Sequence, residues 1–153
     1  DMVEKVTFEK TTYGALPLKF EAGTMNYPSA IGLAAAIDYV LSIGKDYISA
    51  MENDLLNYAT NVLSGIRGLK IFGNSEKKIS TISFLLDGIH MYDTGMILDK
   101  LGIAVRTGTH CAQPIMDRMG LDGTVRASMC FYNTREEIDA LGMGIEKVIK
   151  MFS

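Results

Sequence analysis

The chemistry of this chain gathers around one thiol. In Arg106-Thr107-Gly108-Thr109-His110-Cys111-Ala112-Gln113-Pro114 a cysteine stands beside a histidine and five residues after an arginine, in a glycine-containing stretch. A second arginine follows in Val125-Arg126-Ala127-Ser128, and then Tyr132-Asn133-Thr134. Only the deprotonated sulfur attacks an electrophile well, and cationic neighbours or a helix N-terminus favour that form of a cysteine. Both kinds of neighbour are available here, since Arg106 and His110 flank Cys111 and Gln113-Pro114 suits a first helical turn. The pattern therefore points to a nucleophilic thiol. The other reading is a small apolar plug, which is the role of most free cysteines.

The same residues resemble the C-terminal region of Suf-type cysteine desulfurases and selenocysteine lyases, pyridoxal phosphate enzymes of the class V aminotransferase group. The likeness runs through Arg106-Thr107-Gly108, His110-Cys111-Ala112, Val125-Arg126-Ala127-Ser128 and Tyr132-Asn133-Thr134, with an acidic pair at Glu136-Glu137. Upstream it includes Phe20-Glu21-Ala22-Gly23-Thr24, Asn26, Ala30-Ile31-Gly32-Leu33 and Ala35-Ala36-Ile37-Asp38-Tyr39. Thr109 stands where many relatives carry a second histidine, and Met25 where proline is common. The family holds its cofactor on a lysine in a Ser-x-His-Lys type segment. None of the ten lysines here has that context, because His90 and His110, the two histidines, precede Met91 and Cys111.

The resemblance implies a function and a set of roles. Pyridoxal phosphate withdraws electrons from the substrate's carbon skeleton, Cys111 attacks the sulfur of L-cysteine, and the products are L-alanine and a persulfide on Cys111. With L-selenocysteine, selenium can leave without help from the thiol. Arg126 is the expected ligand of the substrate carboxylate, since a guanidinium presents a planar fork to it. Arg106 is a second substrate-binding candidate or a guard of the thiolate. His110 is a candidate for tuning the thiolate, although adjacent residues in an extended segment point to opposite faces. Gly23 and Thr24 are expected to reach the cofactor phosphate of the opposite subunit through a backbone amide and a hydroxyl. Asn26 reads as a helix-entry residue, and His90 as structural.

The elements that must position these groups form an α/β alternation. Residues 1–28 read as irregular or hairpin-like, broken by Gly14 and Pro17. A helix is expected from about Ser29 to Gly44 with Leu33, Ile37, Val40 and Leu41 on one face. A longer one runs from Asp46 to Ser64, with Ile48, Met51, Leu55, Tyr58, Ala59 and Val62 spaced by three and four. Strands are expected at 69–72 and 80–86, a helix at 91–100, and a strand at 103–106 feeding the cysteine loop. A short helix at 114–119 and a strand at 124–131 follow, the latter holding Cys130 at an apolar core or sheet-face position. Thr134-Arg135-Glu136-Glu137 has capping-box spacing and opens a final helix with Ile138, Leu141, Ile145, Val148, Ile149 and Phe152 inward.

Composition sets the bounds. Of 153 residues 48% are hydrophobic and 22% charged, the range of a chain that buries a real core. A net charge of −3 gives no electrostatic reason to expect nucleic acid or an anionic membrane as partner. Apolar runs are interrupted well before the length of a membrane span. Two cysteines make neither a disulfide framework nor a metal site, so a reducing, cytoplasmic setting is expected and no metal. The resemblance implies the small-sheet C-terminal domain of a fold type I enzyme. Residues 1–45 would be the tail end of the large cofactor domain, 46–65 a bridging helix, and 66–153 the small domain with the cysteine loop. On this reading the chain is part of a longer homodimeric enzyme that hands sulfur to an acceptor protein, and is inactive alone because the cofactor lysine is missing. The alternatives are another class V aminotransferase-like enzyme, or a non-enzymatic domain that accepts sulfur on Cys111.

Overall fold

A computed structural model describes residues 2–73 and 75–153. The chain divides into two compact units, one up to Gly44 and one from Lys45 to Ser153. The first opens with an antiparallel hairpin, β1 (Val3–Val6) and β2 (Thr11–Tyr13), whose turn is closed by hydrogen bonds between Thr7 and Lys10. After a 3-10 turn at Leu18–Phe20 comes α1 (Tyr27–Ile43). Asn26 caps it, its Oδ1 accepting from the Ser29 amide at 3.2 Å, and Pro28 sits in the first turn where its missing N–H costs nothing. The helix therefore begins two residues before the sequence expectation.

The residues expected on one apolar face of α1 are exposed. No residue of α1 is buried. Ile31, Leu33, Ile37, Tyr39, Val40 and Leu41 are all exposed, Ile31 at 71%. The reason lies in the composition of the helix, which is apolar on nearly every side rather than along one stripe, the pattern of a segment made to be surrounded.

The second unit is built on a four-stranded antiparallel sheet in the order β3-β4-β6-β5. Its strands are β3 (Leu69–Phe72), β4 (Thr81–Leu86), β5 (Arg106–Gly108) and β6 (Thr124–Ser128). Strand alternation separates two faces. Ile82, Phe84 and Leu86 of β4 lie across from Ala127, Val125 and Leu69, and with them face the core. That core is completed by three helices, α2 (Lys45–Ser64), α3 (Met91–Lys100) and α5 (Arg135–Met151), which bring in Leu55, Leu56, Ala59 and Leu63, Leu98, and Ile138, Leu141, Ile145 and Val148. Complete burial of a side chain such as Phe84 or Leu63 contributes about 1.5–3 kcal/mol. A short helix, α4 (Gln113–Met119), lies between β5 and β6 in the chain.

The sheet's other face carries Ser83, Arg126, Ser128 and Arg106, half-buried or exposed, together with the buried Thr124. Helix packing on one side and polar residues on the other are what an antiparallel sheet with one solvated face requires.

Helix α5 starts as its sequence indicates. The Thr134 hydroxyl accepts from the Glu137 amide and the Glu137 carboxylate accepts from the Thr134 amide at 2.9 Å, a complete capping box. Asn133 extends it: its side-chain amide donates to the same Glu137 oxygen, and its Oδ1 accepts from the Cys130 amide. These donors hold the Glu137 carboxyl below its usual range, Asn133 having the largest effect. Farther out, Arg135 pairs with Asp54 at 3.0 Å and the Tyr58 hydroxyl donates to Asp139, tying α2 to α5.

Three expectations need correction. The strand before the cysteine loop is Arg106–Gly108, not 103–106, because Ile103 and Val105 pack sideways on the core while pairing with β6 begins only at Arg106. The strand from Thr124 ends at Ser128, so Cys130 is not a sheet residue. It is half-buried in the turn that Asn133 closes. Phe152 is 52% exposed, since α5 ends at Met151.

Candidate functional site

The site grows from the pairing of β5 with β6. Arg106 lies directly across from Arg126, and Gly108 across from Thr124. Directly opposed residues of an antiparallel pair project to the same side, so both guanidinium groups stand on the open face. Like charges so placed repel, which favours an anion between or beside them. The Arg126 Nε is buried and has no acceptor among the described residues, while the residue as a whole is half-buried.

Between the strands the chain makes a tight excursion. His110 and Cys111 have φ values of 58° and 59°, two consecutive non-glycine residues in the left-handed region. Each such residue costs roughly 1–2 kcal/mol. The premise of an extended segment at 110–111 is thus wrong. The Ala112 amide closes the turn on the Thr109 carbonyl at 3.0 Å, and α4 then starts at Gln113 with Pro114 in its first turn.

This turn presents the thiol. Cys111 is exposed, and Arg106 Nη2 donates to its Sγ at 3.2 Å. The His110 ring turns to the sheet instead: Nε2 is hydrogen-bonded with Thr124 Oγ1 at 2.8 Å, and Nδ1 is buried without a partner among the described residues. Burial lowers the His110 pKa from its ordinary value, and the charges of Arg126 and Arg106 lower it further. The imidazole is therefore neutral near pH 7.

The structure thus brings Cys111, Arg106, Arg126 and His110 together on one face of one unit. Gly23 and Thr24 lie in the other unit, in the exposed loop that leads into α1. Gly23 has φ 73° and open space where a Cβ would stand, so its backbone can be approached closely. Glycine, a hydroxyl and the start of a 17-residue helix are a donor set suited to a phosphate. His90 caps α3, its Nδ1 accepting from the Tyr92 amide.

Two participants escaped the sequence reading. Thr124 looks like any β-branched residue opening a strand, and its one distinguishing signal is the preceding Gly123. Asn133 sits in a motif whose visible work is structural, since it fastens the turn after β6 to the start of α5. Among the described residues no group of His, Cys, Asp or Glu side chains could hold a metal ion.

Known proteins resemble this chain in sequence and in fold. The family described as Aminotransferase class-V matches residues 1–141. A cysteine desulfurase of Synechococcus elongatus is 47% identical over 148 residues, which is 97% of this chain and 24% of that protein. A probable cysteine desulfurase of Streptomyces coelicolor is 47% identical over 154 residues, 99% of this chain and 37% of that protein. Among solved structures, the cysteine desulfurase CsdA of Escherichia coli, in an S-sulfonic acid form, superposes with a TM-score of 0.85 at 33% identity, covering 98% of this chain and 37% of its own. The apo cysteine desulfurase of Thermococcus onnurineus gives 0.85 at 37% identity, covering 98% and 38%. The chain thus spans between a quarter and two fifths of the length of these relatives.

Proposed function

This chain belongs to the class-V aminotransferase family, and on that premise we propose that it is the nucleophile-bearing part of a cysteine desulfurase. One observation carries the proposal: an exposed thiol held against a guanidinium, on a sheet face where a second arginine stands opposite the first. Residues 1–45 would contribute to the large cofactor domain, 46–65 would bridge, and 66–153 would form the small domain.

Pyridoxal phosphate, when bound, supplies the electron sink for the substrate's carbon skeleton. Gly23 and Thr24 would hold its phosphate, in a homodimer that of the partner subunit. None of the ten lysines follows a histidine, so the lysine that carries the cofactor belongs to the remainder of the longer enzyme, and this chain alone is inactive. Arg126 binds the carboxylate of L-cysteine and fixes the orientation of its side chain. The Cys111 thiolate attacks the substrate sulfur, and a sulfur–sulfur bond forms as the carbon–sulfur bond breaks. The released electron pair stays with the carbon skeleton, and a proton there completes L-alanine. Arg106 donates to the Cys111 sulfur and fixes where it stands before attack. The persulfide then passes to an acceptor protein, for which the exposure of Cys111 leaves access. Two free cysteines suit a reducing, cytoplasmic setting.

The test is alanine formation by the longer enzyme that contains this segment. Cys111→Ala should abolish turnover of L-cysteine yet leave part of any turnover of L-selenocysteine, and Arg126→Lys should raise KM for both. Undiminished L-cysteine turnover in Cys111→Ala would remove the nucleophile assignment.

A further inference from the structure

Thr124 is 1% exposed, and the one partner of its side chain among the described residues is the His110 ring. A buried hydroxyl without a partner is costly, so this bond is obligatory in the folded state. It lies at the root of the cysteine loop, because Thr124 is paired with Gly108, the last residue before the turn. Gly123 fixes the position of Thr124 from behind: a Cβ there would meet the Gly108 carbonyl and the Met91 sulfur at 2.6 Å.

The two left-handed residues need an explanation that the reaction does not supply. Consecutive strained residues persist only where surrounding contacts over-determine them. Among the described residues the side chains of His110 and Cys111 have one anchor each, Thr124 for the ring and Arg106 for the sulfur, and both anchors stand on the paired strands β5 and β6. Releasing the ring would let the turn relax to ordinary φ values and carry the thiol away from Arg106.

We infer that Thr124 is a positioning residue for Cys111: through its hydrogen bond to His110 it holds the loop in the conformation that keeps the sulfur against Arg106. His110 is then a strut between sheet and thiol rather than a base for it. Its lowered proton affinity agrees, since a neutral ring shared with a hydroxyl has no charge to offer the sulfur. The importance of this device rests on Cys111 being the nucleophile, but the device itself is read from thiol reactivity and needs no cofactor.

The experiment measures alkylation of the 153-residue chain by iodoacetamide at pH 7, followed at Cys111 and Cys130 separately by peptide mass spectrometry. The strained turn presents the sulfur to solvent beside Arg106, and a relaxed turn loses that presentation. Thr124→Val should therefore slow Cys111 at least threefold while Cys130 is unchanged, and Thr124→Ser should keep the rate within a factor of two. In a His110→Ala background, Thr124→Val should have no further effect. An unchanged Cys111 rate in Thr124→Val, or effects of Thr124→Val and His110→Ala that multiply, would overturn the inference. Should Thr124→Val fail to fold, shown by faster labelling of Cys130, His110→Ala alone decides: it must slow Cys111 and spare Cys130, and no slowing overturns the inference. Failure of desulfurase activity in the longer enzyme would leave these rates untouched, so the two claims fall separately.

Discussion

Replacing Gly123 by alanine probes the joint on which the whole site turns. Gly123 has φ 152°, a value that L side chains rarely adopt, and a Cβ at this residue would lie 2.6 Å from the carbonyl carbon and oxygen of Gly108 and from the Met91 sulfur. The methionine end can swing aside, but the Gly108 backbone cannot, since it is paired with Thr124 in the sheet. Overpacking of this kind costs roughly 1–3 kcal/mol, and the backbone conformation adds about 1–2 kcal/mol. Together Gly123→Ala should destabilise by about 2–5 kcal/mol. For a unit the size of Lys45–Ser153 each kcal/mol corresponds to roughly 4 °C, so the midpoint of thermal unfolding should fall by about 8–20 °C. Circular dichroism melts with parallel urea titrations would measure it. A midpoint within about 2 °C of the wild type, outside the range these costs allow, would refute the claim that this close approach sets the β5–β6 joint.

Other outcomes follow from the caps and the titrating groups. Thr134→Ala removes the capping oxygen of α5 and should cost about 1 kcal/mol in urea unfolding, whereas Thr134→Ser should cost little. His110 has a folded pKa below its unfolded value of 6.5, so from pH 6.5 downward the unfolded chain takes up a proton that the folded chain refuses. Stability should therefore fall as pH drops from 6.5 toward the folded value, and His110→Gln should flatten that part of the profile. Glu137 acts in a lower window: its folded pKa is depressed from 4.5, so its contribution is present above that value and is lost on further acidification.

The fold was legible where side-chain pattern and backbone agree. The alternation Ile82, Phe84, Leu86 announces a strand with one buried face, and Thr134 with Glu137 announces a helix start, because in each case local chemistry determines the geometry. It was less legible where an apolar run does not mean pairing. Ile103 and Val105 read as strand, yet they fill the flank of the core and leave hydrogen bonding to begin at Arg106. The apolar residues of α1 show the same limit, since periodicity records that a surface is to be covered and not which surface covers it.

The site was legible in its residue types and illegible in its conformation. Cys111, Arg106 and Arg126 stand out by chemistry, and the cross-strand register places both arginines on one face. Nothing in His110 or Cys111 signals a left-handed backbone, which glycine or asparagine would have advertised. The left-handed turn sends the His110 ring to Thr124 and not to the thiol, a divergence the extended-chain argument allowed on a different premise, and Thr124 passed as a strand residue of no special note.

The account rests most heavily on Cys111 as the sulfur-bearing nucleophile. The direct measurement is a mass spectrum of the longer enzyme after a single turnover of L-cysteine, with peptides resolved for Cys111 and Cys130. One extra sulfur atom on the Cys111 peptide, removed by a thiol reductant, is the predicted result. Sulfur on Cys130, or alanine formed with neither peptide modified, would contradict the account.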